Sequence, residues 1–103
     1  MKIRVLSYSD CPHGALALAR VRQALAQLAL AAEVEELRVG AGSDAAELKF
    51  RGSPTVLVNG RDVEPGPPHQ GLACRLYAGG EGAPSLAVLS RTMQQALVDE
   101  GDA

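Results

Sequence analysis

Two cysteines occur in this chain of 103 residues, and one of them stands where chemistry is expected. Cys11 opens the run Cys11-Pro12-His13-Gly14, between a short strand-like segment and a long segment of helix-forming residues. The thiolate is the nucleophilic form of cysteine. The unpaired N–H groups of a helix's first turn, with the macrodipole behind them, favour negative charge at that end. His13 can supply a proton or a hydrogen bond to the same sulfur. These effects act in one direction and make Cys11 the candidate nucleophile, with Pro12 and His13 beside it. The competing reading is a small buried residue closing the top of a sheet, a common role for free cysteine. His13, in turn, competes with an ordinary polar residue at a helix start.

The elements that would position this motif follow from periodicity. Lys2 to Ser7 alternates and then turns apolar, as a strand does. Pro12 suits the first position of a helix, where a missing N–H has no consequence. Residues 15–31 are rich in Ala, Leu, Arg and Gln, and Leu18, Val21, Leu25 and Leu28 form one stripe. Residues 34–39 read as a second strand. Asp44-Ala45-Ala46-Glu47 has capping-box spacing and predicts a short helix to about Phe50, ended by Gly52. Thr55-Val56-Leu57-Val58 is a β-branched strand, followed by the turn pair Asn59-Gly60. The proline-rich stretch 65–70 reads as loop. Residues 72–77 read as a fourth strand, with Leu72, Cys74 and Leu76 on one face and Ala73, Arg75 and Tyr77 on the other. Pro84 opens a last helix with Leu86, Leu89, Met93 and Leu97 inward. The order is β-α-β, a short helix, then β-β-α. It predicts a single α/β domain over 1–103, with a mixed sheet of about four strands flanked by helices.

Composition narrows the function classes. The net charge is −2, with scattered Lys and Arg, which argues against a nucleic-acid face. No apolar run approaches the roughly 20 residues that cross a bilayer. The opening Met1-Lys2-Ile3-Arg4 is too charged for a signal peptide, so a cytoplasmic location is expected. Thiols there are kept reduced, and two cysteines point to reactivity or burial rather than a structural staple. Cys11 and Cys74 with His13 or His69 are soft ligands for a thiophilic metal, but their spacing matches no zinc pattern, and no metal or resident cofactor is expected.

Gly52-Ser53-Pro54-Thr55-Val56, taken with the upstream Cys-Pro-His, resembles the thioredoxin-like superfamily, and the resemblance spans nearly the whole chain. It implies a strand–Cys–helix unit facing a cis-proline, Pro54, in front of the third strand. Pro54 then belongs to the catalytic set with Cys11, Pro12 and His13, and Ser53 and Thr55 bind substrate. One departure matters. The family's redox motif is Cys-x-x-Cys, and its second cysteine is here Gly14, so no disulfide can form within the motif. In the family's order Cys74 lies in the middle of the fourth strand, away from the first. A disulfide needs Cα atoms within about 7 Å, which leaves Cys74 a buried or structural thiol ahead of a resolving one. Asn59-Gly60-Arg61-Asp62-Val63-Glu64-Pro65 and Gly71-Leu72-Ala73-Cys74-Arg75-Leu76-Tyr77 also look like a group of small bacterial thioredoxin-family proteins sometimes labelled alkylmercury lyase. Carbon–mercury cleavage needs two thiols and an acid, and here only Cys11, Cys74 and the nearby Asp10 are offered.

Three functions follow. The first is monothiol thiol–disulfide exchange through Cys11 with a small thiol or protein disulfide, glutathione serving as co-substrate. The second is a non-catalytic binding module using the 65–70 loop. The third is soft-metal binding, mercury or copper, through Cys11 and Cys74.

Overall fold

The structure, a computed structural model, describes residues 1–8, 11–39, 52–65, 77 and 81–101. Its elements run β1 (Lys2–Ser7), α1 (Gly14–Gln27), β2 (Glu33–Arg38), β3 (Thr55–Val58), β4 (Arg61–Asp62) and α2 (Leu86–Gly101). They build an α/β fold with one mixed sheet in the order β2-β1-β3-β4. β1 and β2 are parallel, in a register running from Lys2 opposite Glu33 to Ser7 opposite Arg38. β3 lies antiparallel to β1, with Leu6 opposite Thr55, and β4 is antiparallel to β3. The central strand β3 is buried along its whole length, which explains its unbroken apolar and β-branched composition. The edge strand β2 instead carries Glu33, Glu35, Glu36 and Arg38, charges that discourage pairing with another chain.

Both helices pack on one face of the sheet. Ile3 and Val5 of β1 and Val56 and Val58 of β3 form one core with Ala17, Val21, Ala24 and Leu25 of α1 and Leu89 and Met93 of α2. Leu6, Val39 and Leu57 form a smaller apolar group apart from it. The flanking expected of the helices is thus one-sided among the described residues. The short helix expected near 44–50 lies outside them.

The structure corrects four expectations. First, α1 begins at Gly14 with His13 as its N-cap, so Pro12 precedes the helix rather than opening it. It also ends at Gln27, four residues early. Ala29 takes a left-handed conformation (φ 53°), and the Leu30 N–H reaches back to the Leu25 carbonyl at 2.9 Å. That Schellman-type closure turns the chain toward β2. Second, the buried face of α1 is centred on Ala17, Val21 and Ala24, with Leu18 and Leu28 only at its rim. Third, a strand not expected from the sequence, β4, follows the Asn59-Gly60 turn, while residues 72–76 of the strand expected over 72–77 lie outside the described residues. Asn59 and Gly60 both have positive φ (50° and 82°), the geometry of a tight hairpin turn, and β4 returns along β3 at once. Two residues are too few to carry a periodic signal. Of 72–77 only Tyr77 is described, and it lies outside any strand, 3% exposed. Fourth, Ala96 rather than Leu97 continues the inner face of α2. Ala96 is 7% exposed and Leu97 42%. Both follow Met93 by about one turn, and hydrophobicity alone favours the larger residue.

Among the described residues no helix is long and apolar enough to cross a membrane.

Candidate functional site

The Cys11 motif sits where β1 ends. The chain turns through Cys11, Pro12 and His13, and the Gly14 N–H points at the Cys11 carbonyl at 3.5 Å. His13 is the N-cap, and its side chain makes no capping hydrogen bond. Cys11 therefore stands two residues ahead of the N-cap, in the turn that leads into the helix. Cys11 carries a free thiol and is half-buried, while Pro12 is exposed.

Tyr8 joins this turn to the loop before β3. The Cys11 N–H donates to the Tyr8 carbonyl at 3.1 Å, and the Tyr8 N–H donates to Ser53 Oγ at 3.3 Å. The register of β1 and β3, continued by two residues, sets Tyr8 opposite Ser53. The Ser53–Pro54 peptide bond is cis, as the sequence reading expects. Ser53 and Thr55 are fully buried, and both hydroxyls work inside the protein. Ser53 Oγ accepts from Tyr8, and the Thr55 hydroxyl donates to the Gly52 carbonyl. Gly52 has φ 112°, a conformation open mainly to glycine. The side chains expected to bind substrate thus hold the loop in place.

A residue whose role the sequence left open braces the other side. The Tyr77 hydroxyl donates to the Pro54 carbonyl, and the Tyr77 N–H donates to the Glu81 carbonyl at 2.8 Å. Arg20 of α1 then holds this segment. It pairs with Glu81 at 3.3 Å and donates to the carbonyls of Ala83 and Pro84 at 3.3 and 3.1 Å. The His13 ring lies against Gly82, where an added Cβ would come within 2.5 Å of Nδ1. His13 Nδ1 is buried with no hydrogen-bond partner among the described residues, and no hydrogen bond from His13 to the Cys11 sulfur is present among them. The imidazole packs on the segment preceding α2. A buried carbonyl left without its donor costs about 1–3 kcal/mol, so Tyr77→Phe is expected to destabilise the protein by that amount in urea unfolding. An unchanged midpoint would remove Tyr77 from the brace.

Gly14 explains why the motif has one thiol. A Cβ built on Gly14 would lie 2.9 Å from Ser7 Oγ and 3.2 Å from Ser7 Cβ. Ser7 is fully buried on β1, and its Oγ accepts from Arg38 Nη1 at 2.9 Å. The space a second cysteine needs is therefore filled. Gly14→Cys is expected to lose about 1–3 kcal/mol through overpacking. Thermal denaturation of that variant checks it, and an unchanged or raised Tm would show that the helix start can shift aside.

Cys74, His69, Asp10 and Arg75, and most of the 65–70 loop, lie outside the described residues. Among those described, no group of three or more His, Cys, Asp or Glu side chains is placed to hold a metal ion. The structure therefore joins Cys11, Pro12, Ser53 and Pro54 through Tyr8, and it adds Tyr77, Arg20 and Gly82 as supports. A buried tyrosine hydroxyl usually finds a partner, but nothing in sequence spacing points from Tyr77 to Pro54.

No family model, curated protein or solved structure matches this chain.

Proposed function

We propose that the protein is a monothiol redox protein of thioredoxin-like architecture, with Cys11 as its nucleophile. The observation that carries this reading is the Tyr8 link, which ties the main chain of Cys11, whose thiol is free and half-buried, to the loop of Ser53 and Pro54. The strand order and the one-sided pair of helices support the architecture.

The chemistry is thiol–disulfide exchange. The Cys11 thiolate attacks one sulfur of a substrate disulfide. The Cys11–substrate S–S bond forms as the substrate's own S–S bond breaks, and the departing thiolate takes a proton from water. Gly14 offers no resolving thiol. An external small thiol, as its thiolate, then attacks the mixed disulfide. Cys11 leaves as thiolate, and a disulfide joins the external thiol to the bound substrate half. The substrate disulfide is reduced and the external thiol oxidised. Pro12 flanks the sulfur, while Ser53, Thr55 and Tyr77 keep the facing loop in register.

A second reading, a binding module that retains the fold without the chemistry, is favoured by one observation. No side chain among those described donates a hydrogen bond to the Cys11 sulfur. Exposure of the reduced protein to glutathione disulfide, followed by peptide mass spectrometry, separates the two. Redox chemistry expects a glutathione adduct on Cys11. Absence of an adduct there favours the binding module.

A further inference from the structure

A groove of about 410 Å³ runs beside the Cys11 motif, between α1 and the edge strand β2. Ala15, Leu18 and Ala19 line its helix side, and Arg22, Arg38 and Glu36 bring charge to it. The parallel register explains the meeting. Glu36 and Arg38 pair with Val5 and Ser7 of β1, so they share the face that α1 covers. They stand at the sheet's open edge, however, where their charged ends reach solvent. Arg38 is fixed at two points, by Ser7 Oγ at 2.9 Å and by Glu36 at 2.9 Å. Arg22 is exposed and has no ion-pair partner among the described residues.

The near end of the groove adjoins the thiol turn. Arg38 Nη1 is 3.8 Å from the point where a Gly14 Cβ would sit, and the Gly14 N–H points at the Cys11 carbonyl. From Gly14 to Arg22 the helix rises by about 12 Å. A small thiol joined to Cys11 therefore meets one guanidinium group from the strand side of the groove, close to the thiol turn, and a second from the helix side further along. Guanidinium forks bind carboxylates and phosphates in preference to neutral groups.

We propose that this groove is a specificity subsite for the anionic end of a low-molecular-weight thiol whose sulfur exchanges with Cys11, with Arg22 and Arg38 as its anion-binding residues. The inference rests on the redox reading of Cys11 and names the class of substrate that site takes. Two chemistries supply the anion. A peptide thiol with two carboxylates and one ammonium also places its ammonium near Glu36, whereas a nucleotide-linked thiol brings phosphates.

The test measures mixed-disulfide formation on the wild type and on Arg22→Glu with three disulfides: glutathione disulfide, coenzyme A disulfide and neutral 2-hydroxyethyl disulfide. Charge reversal of Arg22 is expected to slow one or both anionic disulfides by about threefold or more at low salt, with the neutral one changed less than about twofold. The anionic disulfide that responds identifies the chemistry. Equal effects on all three, or none on either anionic disulfide, overturn the subsite. Titration of Cys11→Ser with S-methylglutathione and with S-methyl coenzyme A, followed by backbone amide NMR, does not depend on redox chemistry. Saturable shifts at Ala15, Leu18, Ala19 and Arg38 with either are expected. Their absence with both overturns the subsite even where Cys11 reacts. If no disulfide modifies Cys11 while the groove shifts persist, the redox reading fails and the anion site stands.

Discussion

Cys11→Ser is expected to abolish mixed-disulfide formation with glutathione disulfide, while Cys74→Ser keeps the wild-type rate within about twofold. The first result follows from chemistry: a serine hydroxyl does not exchange with disulfides at neutral pH, and Gly14 offers no alternative sulfur in the motif. The second follows from the sequence reading that makes Cys74 a buried or structural thiol. Serine is close to cysteine in size, so the Tyr8 contacts to Cys11 and Ser53, made by main chain and by the Ser53 hydroxyl, should persist. Near-wild-type stability of Cys11→Ser therefore accompanies its lost reactivity. Stopped-flow or mass-spectrometric kinetics on the two single variants decides the matter. Equal residual rates in both, or loss only in Cys74→Ser, would move the nucleophile away from Cys11.

The largest effect on stability is expected at Leu89. Its side chain is fully buried in the core that joins α2 to α1 and the sheet. Removing it strips apolar area from that core and leaves a cavity, at about 2–5 kcal/mol. Domains of this size are stable by only about 5–15 kcal/mol, so Leu89→Ala should lower Tm by roughly 10 °C or more. Leu97→Ala provides the contrast. Leu97 is 42% exposed, and its truncation should change stability by less than about 1 kcal/mol. Chemical unfolding of both variants reads the helix register directly. Similar losses at the two positions would mean that Leu97 faces inward.

Elements with strong periodicity were legible in the sequence. β1 and β3 were placed at their observed residues, because a continuous apolar or β-branched run bounded by turn residues has few alternatives. The positions of Cys11 before a helix and of Pro54 before a strand were legible for the same reason. The finer placement was not. The first residue of α1 depends on whether Pro12 joins the helix or the preceding turn, and the answer comes from the fit of Gly14 onto Ser7. β4 has two residues and no pattern. The brace from Tyr77 to Pro54, and the clamp of Arg20 on Glu81, Ala83 and Pro84, join residues 23 and more than 60 positions apart. No local signal encodes such pairings. Leu97 misled because a helix period of 3.6 residues leaves Ala96 and Leu97 both near the inner arc. Packing against α1 and the sheet, not hydrophobicity alone, chose the smaller.

The central claim is that the fold makes Cys11 a reactive nucleophile. Its alkylation rate at neutral pH, measured residue by residue in the native protein and again in urea, tests this most directly. The account predicts that Cys11 reacts several times faster in the folded chain than in the unfolded one. A native Cys11 that reacts no faster than its unfolded counterpart would contradict it.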